Sequence, residues 1–67
     1  MENNMKYTLV ISKINEEIAK TNIELSKDKE NLKLKDTLLT LLKDKEAVYS
    51  GSTKELKKLF EKYGVND

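Results

Sequence analysis

Residues 11 to 46, ISKINEEIAKTNIELSKDKENLKLKDTLLTLLKDKE, contain neither glycine nor proline. The two strongest helix breakers are therefore missing from more than half of the chain, and helix is the default conformation there. Reading in sevens from Val10 places Ile11, Ile18, Leu25, Leu32 and Leu39 in one column before Glu46 ends it. That spacing is the signature of a helix with one apolar seam. The matching column is Ile14, Thr21, Asp28, Lys35, Leu42, Tyr49, which fails three times in its middle.

A second change falls at the same place. The column Lys13, Lys20, Lys27 continues as Leu34, Leu41, Val48, so the apolar face widens after residue 31. The first half carries a narrow stripe, Tyr7, Ile11, Ile14, Ile18, Leu25, suited to one neighbour. The second half adds Leu38, Leu39, Leu41 and Leu42, enough for contacts on two sides. These shifts predict a turn within SKDKEN, residues 26 to 31, where Ser26, Asp28 and Asn31 can bond local backbone. The competing arrangement is an unbroken coiled-coil helix over 4–50, roughly 70 Å long at about 1.5 Å per residue, paired with a second copy and carrying a fold-back C-terminal helix.

Downstream, YSGSTKEL joins a glycine suited to a left-handed helix end, Gly51, to a capping box, Ser52 with Glu55. Leu56, Leu59, Phe60 and Tyr63 then fall on one helical face, Gly64 supplies the stop, and Val65 is placed to fold back. At the other end Met5, Tyr7, Leu9 and Ile11 alternate as a strand would, but Tyr7, Val10, Ile11, Ile14 and Ile18 also share a helical face. No second strand exists to pair with, so helix one extends back to about Asn4 as its cap. The expected fold is all-α, one small domain over 1–67: a helical hairpin, about 4–26 and 32–50, plus a short C-terminal helix, 53–63. Helix two lies between the other two.

A chain of 67 residues has a small core, one that usually supplies only about 3–5 kcal/mol. With neither cysteine nor histidine, a disulfide or a Cys/His zinc site cannot supplement it. All 13 cationic residues are lysine, against 12 acidic ones. The lack of arginine and the near-zero net charge argue against sequence-specific nucleic-acid binding. The apolar run Tyr7 to Ile11 is too short for a signal-peptide core or a membrane span, which leaves the cytoplasm as the expected location.

No catalytic, cofactor-binding or metal-binding residues are expected. There is no phosphate-cradling glycine loop. Glu16 and Glu17 stand about 100° apart on a helix and do not converge, and Lys27 to Glu30 reads as surface charge rather than a calcium loop. Ile11, Ile14, Ile18 and Leu25 form either the hairpin's internal packing or a self-association seam. Candidate partner contacts are Tyr49, Phe60 and Tyr63, with Lys57 and Lys58 on the basic side of helix three. Tyr49 and Tyr63, each beside a helix end, are expected at an edge with the hydroxyl in water.

In size and composition only, the chain is similar to small inhibitors and accessory regulators encoded by bacteria and their phages. The expected function is that of a non-enzymatic protein-binding module, a regulator or inhibitor of a larger protein, with a homodimer as one form. The alternatives are a self-assembling coiled-coil element and a weak nucleic-acid binder using the lysines of helix three. Membrane binding is not expected, because four apolar residues on about three turns are already committed to a core.

Overall fold

Three helices make up the computed structural model, which describes residues 2–65, with side chains from residue 5 onward: α1 Glu2–Lys27, α2 Leu32–Ser50 and α3 Thr53–Lys62. The chain is all-α, and the unbroken rod over 4–50 is not formed. The longest dimension is 41 Å, well short of what such a rod requires.

The break between α1 and α2 is made by side chains of the expected segment. Asn31 adopts an extended conformation, φ −73° and ψ 103°, and its Oδ1 accepts the Leu34 amide at 3.0 Å. Its Nδ2 donates to Asp28 Oδ2 at 3.0 Å, so one asparagine caps α2 and ties the cap to the preceding turn. Ser26 takes no part, because its Oγ donates back to Ile23 O at 2.6 Å within α1. The expected cap at Asn4 is not at a helix start, since α1 already includes that residue; its side chain lies outside the described ones.

Between α2 and α3, Ser52 caps as the sequence indicates, with Oγ accepting the Glu55 amide at 3.4 Å. Gly51 departs from the expected left-handed conformation. It is extended, at φ −75° and ψ 159°, and its amide donates to Ala47 O at 2.6 Å. Glycine is needed there for space, because a Cβ would run into the Ala47 carbonyl and come within 2.8 Å of Glu55 Oε2. Gly64 is the left-handed glycine, φ 69°. Val65 N donates to Phe60 O at 2.7 Å and Gly64 N to Glu61 O at 3.2 Å, the pair of bonds that closes a helix when the chain doubles back.

The core lies where all three helices meet. Val10 and Ile14 are fully buried, with Val48, Leu56, Leu59 and Val65 around them. Each such side chain contributes about 1.5–3 kcal/mol through burial. Tyr7, Ile11, Ile18, Phe60 and Tyr63 pack against this cluster. Helix α3 contacts α1 as well as α2, so α2 is not sandwiched between its neighbours as the widened face suggests. The seam also does not fail at Thr21. That residue is 5% exposed, and its Oγ1 donates to Glu17 O at 2.8 Å, which removes the cost of burying a hydroxyl.

Candidate protein-binding face

Helix α2 carries two apolar stripes and the fold uses one of them. Leu34, Leu41 and Val48 turn inward, with Leu38 half-buried beside them. Leu32, Leu39, Leu42 and Tyr49 lie roughly 130° away at about 100° per residue. They are 74%, 57%, 46% and 71% exposed. Their spacing of seven, then three, then seven is that of a coiled-coil seam. Because α1 and α3 both pack on the other side, no element among the described residues covers this one. Helix α1 also exposes Met5, Leu9 and Ile23, but Ser12 and Glu16 interrupt that face.

The second feature is a polar knot at the edge of the core. Tyr63 Oη donates to Asp44 Oδ2 at 2.6 Å, and Lys62 Nζ reaches the same oxygen at 2.7 Å. The Asp44 side chain is only 16% exposed, so a nearly covered carboxylate is held by one neutral and one cationic donor. Burial, then the bond to Asp44 and the charges of Asp44 and Glu17, push the Tyr63 hydroxyl well above the ordinary phenol range. This arrangement fastens α3 to α2.

An open cleft of about 650 Å³ beside the knot is lined by Lys13, Lys33 and Lys62 but equally by Glu16, Glu17 and Asp36. The lining thus carries three charges of each sign, and Lys20 is shared with Glu16 and Glu17 at 3.8 and 3.6 Å. A smaller groove of about 420 Å³ is lined by Tyr7, Thr8, Ile11, Ser12, Val48 and Tyr49.

The residues singled out from sequence separate into two groups. Ile14 is core, Ile11 and Ile18 pack against it, and Leu25 is half-buried, so this stripe faces inward. Phe60 is half-buried, with its ring edge-on to Tyr7 at 6.2 Å and 85° and Lys6 Nζ 5.9 Å above it. Tyr63 sits at an edge, but its hydroxyl is bound to Asp44 rather than left to water. Tyr49, Lys57 and Lys58 are exposed.

Sequence reasoning missed Asp44. The available signal is its position three residues after Leu41 and four before Val48, at the rim of the inward stripe. Among the described residues no helix is long and apolar enough to cross a membrane. Comparison with protein-family models, with curated proteins and with solved structures returns no match to this chain.

Proposed function

We propose that this chain is a non-enzymatic module that binds protein through the outer face of α2. The observation that carries the reading is the stripe Leu32, Leu39, Leu42 and Tyr49, exposed on a helix whose opposite side already serves the core. Exposed apolar residues scattered singly are ordinary, but four in helical register form a surface whose contact with water is costly. Tyr49 suits such a surface, since its ring can be covered while its hydroxyl remains at the rim. As a regulator or inhibitor, the module would act by occupying a complementary helical or grooved surface on its target.

The test compares the wild-type chain with Leu39→Glu/Leu42→Glu, both immobilised and both checked for helicity by circular dichroism. They are presented with lysate of the source cells and with a differently tagged copy of the chain. The expected result is a protein species held by the wild type and lost from the variant. Equal retention by both, or none by either while both remain helical, overturns the proposal.

A further inference from the structure

Resting on that reading, we infer that the occupant of the outer α2 face is a second copy of this chain, docked antiparallel through its own α2. The stripe has the two alternating seam positions of a coiled coil, and its two polar layers are Lys35 and Glu46. In an antiparallel pair one kind of seam position meets the other across a two-fold axis, so each contact occurs twice. Aligning Leu39 with Leu42 of the second copy then places Leu32 against Tyr49 and Lys35 against Glu46. Every apolar layer meets an apolar layer, and the two polar layers become opposite-charge pairs.

The flanking residues agree with this register. Asp36 and Lys43 occupy the same flank of the seam, and the antiparallel alignment brings Asp36 beside Lys43 of the second copy. None of Lys35, Asp36, Lys43 and Glu46 forms an ion pair within the chain among the described residues, so all four are available. A parallel pair would set Lys35 on Lys35 and Glu46 on Glu46, repelling at both polar layers. The seam runs from Leu32 to Tyr49, nearly all of α2, about 27 Å at 1.5 Å per residue. With a net charge of +1 per chain, overall repulsion between copies is small.

The experiment is sedimentation equilibrium on the full chain up to about 1 mM, a range that detects even millimolar association. It is run on wild type, Lys35→Glu, Glu46→Lys and the double exchange, with helicity followed in parallel. A reversible dimer is expected, weakened about tenfold by either single reversal, and restored by the double exchange to within about threefold of wild type. A second readout is site-specific cross-linking, which is unambiguous because the chain has no native cysteine. Chains carrying Lys35→Cys, mixed with chains carrying Glu46→Cys, should oxidise to the mixed dimer faster than either variant cross-links to itself.

A monomer at every concentration overturns the inference. So does a dimer indifferent to the single reversals, or preferential self-cross-linking of each cysteine variant, which is the parallel result. If the chain is monomeric yet holds a different protein through Leu39 and Leu42, this inference fails while the proposed function stands.

Discussion

The Tyr63 hydroxyl and the Lys62 ammonium converge on a single oxygen of Asp44, at 2.6 and 2.7 Å, across the junction of α3 with α2. The two bonds differ in worth. Tyr63 is half-buried and its neutral donor faces a nearly covered carboxylate, whereas the Lys62 side chain is 50% exposed and screened by water.

Tyr63→Phe should therefore lower stability by about 1.5–3 kcal/mol, the usual loss for one hydrogen bond to a charged group. Lys62→Met should cost no more than about 1 kcal/mol, because the lysine end of the pair is half exposed. Urea unfolding monitored at 222 nm, on the order of ten denaturant points per variant, orders them. The opposite ranking would mean that the ion pair, not the phenol, secures α3.

The same contact gives the fold an alkaline limit. The folded state holds the Tyr63 proton more tightly than the unfolded chain does. Stability from this group is complete well below about pH 10, where an unfolded tyrosine is half ionised, and falls as pH rises through and beyond it. Comparing wild type with Tyr63→Phe between neutral pH and the alkaline range should show the stability gap closing. The lysines are common to both chains and largely cancel in the difference.

Thr21→Val should raise stability by about 0.5–1 kcal/mol, since it puts a methyl where a buried hydroxyl bonds back to its own helix. The Glu17 carbonyl that accepts the hydroxyl lies one helical turn earlier, so it keeps its ordinary backbone donor. A thermal melt showing a loss instead would mean that the hydroxyl bond outweighs the added apolar contact.

The two glycines should fail for different reasons. Gly64→Ala meets a backbone at φ 69° and should cost about 1–2 kcal/mol from conformation alone. Gly51→Ala has an ordinary φ, but its Cβ would strike the Ala47 carbonyl, and about 1–3 kcal/mol of strain is expected. Thermal unfolding of both variants checks this. A harmless Gly51→Ala would show that α3 can swing away from the end of α2 at little cost.

The two faces of the hairpin should also separate on truncation. Ile14→Ala removes a side chain with no exposure and should cost about 2–5 kcal/mol, enough to unfold much of so small a chain. Leu39→Ala, at 57% exposure, should leave monomer stability within about 0.5 kcal/mol of wild type. Dilute-solution circular dichroism distinguishes the outcomes, and comparable losses would mean that Leu39 is covered in the folded monomer.

The helix ends were readable in the sequence because their signals are local. Asn31, Ser52 and Gly64 act on backbone groups within a few residues of themselves, so the hairpin turn, the start of α3 and the fold-back of Val65 follow from short stretches of chain. Gly51 was misread for the complementary reason. Its local pattern permits a left-handed stop, but the direction in which α3 must leave to reach the core decides its conformation.

The same distinction applies to the faces. Heptad spacing in the sequence determined which residues of α2 share a side, since a helix sets angles between residues one turn at a time. It could not determine which of two apolar stripes would meet α1 and α3. That choice depends on where three helices can bring Val10, Ile14, Val48, Leu56, Leu59 and Val65 together at close packing, a property of the whole arrangement. Tertiary structure alone made Leu41 and Val48 core, left Leu32, Leu39, Leu42 and Tyr49 in water, buried Thr21, and brought Asp44 within reach of Tyr63 from 19 residues away.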